Sequence, residues 1–180
     1  ADPFALVRER LIPAINEVGA RYERKEYFLP QLLRSAETMQ TAFARVKPLL
    51  EKEQGGSERP VILLATVEGD IHDIGKNIVK TVLENYGFRV VDLGRDVPAE
   101  RVVEAVRQYG AKIVGLSALM TTTMMRMKDV VELAKERNCH AKIIIGGAAI
   151  TESFAEEIGA DGYSRDASDC VKLVQRLTGE

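Results

Sequence analysis

His72 stands in the run Glu68-Gly69-Asp70-Ile71-His72-Asp73-Ile74-Gly75-Lys76-Asn77, two residues after one carboxylate and three before a glycine. If the backbone is extended here, side chains 70 and 72 point the same way. A carboxylate beside an imidazole fixes its tautomer and raises its basicity, which is the support a metal-ligating histidine needs. The same residues also read as a histidine capping a helix whose first turn starts near Asp73. Zinc is disfavoured, because no second His, Cys or carboxylate set arrives at ligand spacing. One protein ligand suffices only where a cofactor supplies the rest of the metal's coordination. Gly69 and Gly75-Lys76 also tempt a phosphate-loop reading. Five residues separate the glycines instead of four, Asn77 replaces the magnesium-holding Ser or Thr, and Asp70 and Asp73 would repel phosphate.

Two more stretches carry small residues where a backbone must approach a ligand: Ser117-Ala118-Leu119 and Gly146-Gly147-Ala148. Each alone is equally a tight turn. Met120, Met124, Met125 and Met127 crowd the segment after Leu119 and read either as helix core or as a mobile rim to a site. Cys139-His140 precedes an apolar run, and Cys170 lies on a helical face. All three are expected to be structural.

The elements around these motifs follow from the apolar pattern. Val61–Ala65, Arg89–Leu93, Lys112–Leu116 and Lys142–Ile145 are short apolar runs, and Gly162–Ser164 is a weaker fifth. Helical periods fill 73–86, 99–109, 122–137, 152–158 and 168–177. Strand–helix alternation with strands buried on both faces predicts an α/β fold, a five-stranded parallel sheet in the order 2-1-3-4-5. Ligands of such sheets sit beyond the carboxyl ends of the strands, at the switch point. The loops to inspect are therefore 67–75, 94–98, 117–123, 146–151 and 164–168. A receiver domain shares this topology but needs an Asp after the third strand, where Ser117 stands.

Residues 5–53 carry only a helical period. Val7, Leu11, Ala14, Ile15 and Val18 form one stripe, expected to close at Gly19; Leu32, Ala36, Met39, Phe43, Val46 and Leu50 form a second, with Pro30 in its first turn. The polar, Gly-rich segment 53–58 reads as a linker, dividing a helical region 1–54 from an α/β domain 59–180. Ala1-Asp2-Pro3-Phe4 has no initiator Met and reads as a cloning scar, so the chain is expected to be a piece of something larger. With 180 residues, 46% hydrophobic and net charge −2, the chain has no basic face for nucleic acid and no apolar run long enough for a membrane. Two cysteines and no secretory signal point to the cytoplasm.

Taken together and in order, Asp70-Ile71-His72-Asp73-Ile74-Gly75, Ser117-Ala118-Leu119 and Gly146-Gly147 resemble the cobalamin-binding signature of methionine synthases and corrinoid methyltransferase proteins. The segment Glu26–Gln31 is similar to that family's helical cap. The resemblance implies a flavodoxin-like domain preceded by a small cap, with His72 as the lower ligand of cobalt and Asp70 hydrogen-bonded to it. Thr123, where methionine synthase typically has Ser, would extend the relay. Cofactor contacts implied for the loops are Gly69, Ile71, Asp73 and Gly75, then Ser117, Leu119 and Thr121. Gly146, Gly147 and Ala167 complete that set, while Tyr22, Leu29 and Leu32 of the cap would shield the upper face.

The implied function is carriage of a methyl group on cobalamin. It is read first as methionine synthase, with folate- and homocysteine-binding domains as partners and no turnover by this piece alone. A free corrinoid protein of methanol, methylamine or methoxyarene metabolism, or a cobalamin-sensing module, is the alternative. Two cap stripes with no second helix pair also predict self-association through the cap helices.

Overall fold

The computed structural model describes residues 6–53 and 60–179. They form two units: the helices of the first 59 residues together with Glu84–Gly87, and Pro60–Leu83 with the chain from Phe88 onward.

The second unit is built on five parallel strands in the order β2-β1-β3-β4-β5: β1 (Val61–Thr66), β2 (Arg89–Asp92), β3 (Ile113–Ser117), β4 (Lys142–Gly146) and β5 (Gly162–Ser164). Every residue of β1 is buried, as a central strand covered on both faces must be. Leu63, Ala65 and Val67 join Val114 and Leu116 in one core cluster, which also takes in Val102, Val103 and Val106 of α4 (Ala99–Tyr109) and Met127, Val130 and Val131 of α5 (Thr121–Glu136). Each such Val, Leu or Met side chain contributes about 1.5–3 kcal/mol by leaving water. α3 (Ile74–Asn85) up to Leu83, α6 (Glu152–Ile158) and α7 (Ala167–Thr178) complete the unit. Thr151 caps α6 by accepting from the Phe154 N–H at 3.2 Å, and Asp166 caps α7 by accepting from the Asp169 N–H at 2.9 Å.

Parallel register carries all the β-to-α loops to one pole. Thr66 pairs with Ser117, Ser117 with Gly146, and Gly146 with Ser164, so one row crosses the sheet at its carboxyl edge. Cys139, His140 and Ala141 lie at the opposite end, leading into β4. Cys170 is buried in α7, and Met127 is core while Met125 is exposed on α5.

The helical unit consists of a π-helical turn over Val7–Leu11, α1 (Ile12–Glu23) and α2 (Leu29–Glu53). Two expectations are corrected. Gly19 does not close the first helix; α1 runs four residues further, supported by an Arg21–Glu17 ion pair one turn apart, and turns out at Lys25 with a left-handed φ of 61°. The helical stripe is also not regular at its start. Pro13 has no N–H to give the carbonyl four residues back, and the preceding turn widens. Of the second stripe, Leu32, Ala36 and Met39 are buried; Asn85 donates to the Ala36 carbonyl at 3.2 Å. The positions given to the scar, 1–4, and most of the linker fall outside the described residues.

Candidate functional site

The β1–α3 loop begins with a type II turn. The Asp70 N–H donates to the Val67 carbonyl at 3.1 Å, and Gly69 takes its third position with a φ of +79°, which a side chain resists. The turn delivers Asp70 to a position with no solvent exposure, in the cleft between the loops that follow β1 and β3.

There the Asp70 carboxylate is saturated with donors. Oδ1 accepts from the His72 backbone N–H at 3.0 Å and lies 2.8 Å from His72 Nδ1. Oδ2 accepts from the Thr123 hydroxyl at 2.7 Å and the Leu119 N–H at 2.8 Å, with the Met120 N–H at 3.4 Å. Burial alone would raise the carboxyl pKa. The hydrogen bonds from His72 N–H, Thr123, Leu119 and the His72 ring outweigh it, and Asp70 stays ionised well below the usual carboxylate range. An ionised acceptor at Nδ1 fixes the proton there and leaves the Nε2 lone pair free to act as a donor. The His72 side chain keeps 45% of its surface exposed.

The remaining expected residues of the α/β unit gather at the same pole. Ile71 and Leu119 are exposed apolar side chains beside His72, and Thr121 opens α5. Gly75 lies in the first turn of α3, and a methyl group added to it would meet nothing within 4 Å. Gly147 is the reverse case: at φ +132° its missing Cβ would sit 1.9 Å from the Ala118 carbonyl oxygen, so only glycine lets the β4 loop close against the β3 loop. Ala167 begins α7 beyond the edge strand. Tyr22 and Leu29 are exposed and Leu32 buried within the helical unit.

Two features have no counterpart in the motif reading. Lys76, almost fully buried, places Nζ 2.5 Å from Asp92 Oδ1 at the end of β2, and Lys80 Nζ lies 3.8 Å from Oδ2. A cation in the first turn of a helix opposes the helix dipole, which a partner carboxylate offsets. Asp96, in the loop after β2, accepts from the Gly69 N–H at 2.7 Å. Lys76 entered the sequence reading only through the rejected phosphate loop. Asp96 had no local signal.

The donor set fits a cobalamin. Among the described residues, no group of three or more His, Cys, Asp or Glu could hold a metal ion. A metal at His72 therefore needs a cofactor that brings its own ligands. Space is open over Gly75, and Thr66 Oγ1, in the row with Ser117 and Gly146, is buried without a hydrogen-bond partner.

Comparison with known proteins agrees. A model of the B12 binding domain matches residues 60–171, and a second B12 binding domain model matches residues 1–47. A dimethylamine corrinoid protein of Methanosarcina acetivorans is 43% identical over 178 residues, 98% of this chain and 84% of the relative. A cobalamin-binding protein from Desulfitobacterium hafniense, solved by crystallography, superposes with a TM-score of 0.80 at 41% identity, covering 91% of this chain and 77% of that one. The methanol:cobalamin methyltransferase complex from Methanosarcina barkeri contains a chain that superposes with a TM-score of 0.79 at 33% identity. That match covers 99% of this chain and 68% of the other.

Proposed function

Because the chain belongs to the B12 binding domain family, we propose that it is the corrinoid protein of a methylamine-type methyltransferase system, receiving a methyl group from a separate methyltransferase and handing it on. The motif resemblance is read first as methionine synthase, with folate- and homocysteine-binding partner domains. That assignment is replaced: the dimethylamine corrinoid protein matches 98% of this chain and aligns over 84% of its own length.

When bound, the corrinoid supplies a cobalt centre that can accept and release a methyl group. His72 Nε2 would ligate that centre. Asp70 holds the Nδ1 proton and the ring plane, and Thr123, with the Leu119 N–H, holds Asp70. Gly75 and Ser117 would line the path of the nucleotide tail, Gly146 and Gly147 let the β4 loop pack close against its neighbours, and Ile71 and Leu119 would present apolar surface to the macrocycle. The observation that carries the reading is the 2.8 Å contact between His72 Nδ1 and Asp70 Oδ1.

Dialysis against hydroxocobalamin should give a coloured protein with about one cofactor per chain. His72→Gly should still bind methylcobalamin but convert its visible spectrum from the nitrogen-ligated to the ligand-free form. An unchanged spectrum removes His72 as ligand, and a colourless folded protein removes the function. The system is tested by supplying the reduced, loaded protein with a dimethylamine methyltransferase and dimethylamine, or with methyltetrahydrofolate and a folate-binding methyltransferase domain. Methylation in the folate arm alone would restore the methionine synthase assignment.

A further inference from the structure

Asp96 adopts a left-handed backbone with φ 54°, one of three non-glycine residues among those described with positive φ. An Asp is among the residues that tolerate that region, at some cost. What the conformation achieves is a two-point grip on another loop. The Asp96 carboxylate accepts from the Gly69 N–H at 2.7 Å, and the Asp96 N–H donates to the Asp70 carbonyl at 3.0 Å. One residue thus holds both ends of the Gly69–Asp70 segment, the second half of the turn that aims Asp70.

The grip is long-range and well anchored. Val97 forms a parallel bridge with Val67, and the Val97 N–H donates to the Thr66 carbonyl at 3.0 Å, so the loop after β2 extends the sheet by one more rung beside β1. On the other side of His72, Asp92 from the same segment holds Lys76. The five residues Asp92–Asp96 therefore fasten the histidine loop upstream and downstream.

We propose that Asp96 is a positioning residue for His72, acting through the Gly69–Asp70 backbone to set the height and tilt of the imidazole toward cobalt. This rests on the reading of His72 as the cobalt ligand. A bond from a carboxylate to an N–H is charge-assisted and stronger than a neutral one. Its loss would let the turn relax while Asp70 keeps its own donors, and the ring would lose its fixed orientation.

The test loads the full chain with methylcobalamin and reads the ratio of nitrogen-ligated to ligand-free spectrum at fixed pH. Asp96→Gly keeps the left-handed backbone and its N–H but removes the carboxylate; it should lower the ratio about tenfold, the scale of one charge-assisted hydrogen bond. Asp96→Asn retains an oxygen acceptor and should restore most of the ratio. Arg95→Ala, one residue away, should leave it at the wild-type value. In the cofactor-free protein the Gly69 amide should be protected from hydrogen exchange and lose protection in Asp96→Gly. That measurement stands even if the glycine variant loads poorly. A wild-type ratio in Asp96→Gly, or equal loss in the Gly and Asn variants, overturns the proposal. A wild-type protein whose spectrum matches His72→Gly overturns the ligand assignment instead, and the two failures are told apart by that control.

Discussion

Thr123 and Asp70 meet at 2.7 Å across 53 residues of sequence, hydroxyl to carboxylate, both buried from solvent. The Thr123 hydroxyl also lies 3.0 Å from the Met120 carbonyl, so its oxygen is tied to the loop it leaves as well as to the loop it reaches. Removing it as Thr123→Val strips one donor from a buried charge and should cost about 1.5–3 kcal/mol of stability. Thr123→Ser should recover most of it. Urea unfolding of the cofactor-free chain measures both.

Asp70 should also shape the acid limb of stability. Its folded pKa is depressed, so the unfolded state binds the proton more readily. The contribution is whole above the unfolded value of ~3.9 and is lost as pH falls below it toward the folded pKa. Asp92, also held low once the Lys76 contact outweighs its burial, acts with the same sign. Asp70→Asn should therefore flatten the dependence of the urea midpoint on pH between about pH 5 and 2. An unflattened slope would show that Asp70 is not an ionised acceptor in the folded chain.

The Lys76–Asp92 pair should be costly to break and cheap to replace. Lys76→Met leaves Asp92 with the Gly94 N–H and the more distant Lys80 only. The expected loss is at the lower end of the ~3–5 kcal/mol typical of an orphaned buried charge. A double variant, Lys76→Met with Asp92→Leu, should regain much of it. A double-mutant cycle in urea gives the coupling.

Two glycines of the site should respond oppositely. Gly147→Ala forces a side chain into the Ala118 carbonyl at a φ of +132° and should unfold or rebuild the β4 loop. Gly75→Ala, in the first turn of α3 with open space around it, should leave stability unchanged or raise it by up to ~1 kcal/mol. Its methyl group projects where the nucleotide tail is proposed to pass, so cobalamin affinity should fall while the melting temperature does not.

The two cysteines should separate by reactivity. Burial pushes the Cys170 thiol up to about 12, whereas Cys139 is partly exposed at the other pole. Iodoacetamide at pH 8 should label Cys139 first and Cys170 only on unfolding. Peptide mapping by mass spectrometry distinguishes them.

The sheet was legible because its strands are buried on both faces and write themselves as unbroken apolar runs. β1 and β4 each run one residue past the expected end, and the 2-1-3-4-5 order follows from the topology class. Asp70 and His72 were legible because their relationship is local, two residues apart in an extended stretch. Thr123 was reached through resemblance alone, since a threonine in a helix's first turn is ordinary. Asp96 stayed hidden for the reason it matters: its partners lie 26 and 27 residues back, and only the pairing of β2 on β1 brings them near. In the helical unit, Gly19 was given too much weight as a terminator and Pro13 too little as a disruptor, because good helix formers follow the first and a lost N–H follows from the second.

The span between Asp70 and its donors has a consequence for the order of events during synthesis. His72 leaves the ribosome well before Leu119 and Thr123, the residues that fix its carboxylate from 49 and 53 positions downstream. Until β3 has emerged and docked beside β1, the Asp70 carboxylate lacks the Leu119 N–H and the Thr123 hydroxyl, and its local bonds to His72 have nothing to anchor them. Nascent chains halted short of β3 should therefore be unable to capture the corrinoid in its nitrogen-ligated form, whereas completed chains should acquire it. Cofactor loading thereby becomes a test that a half-made chain cannot pass.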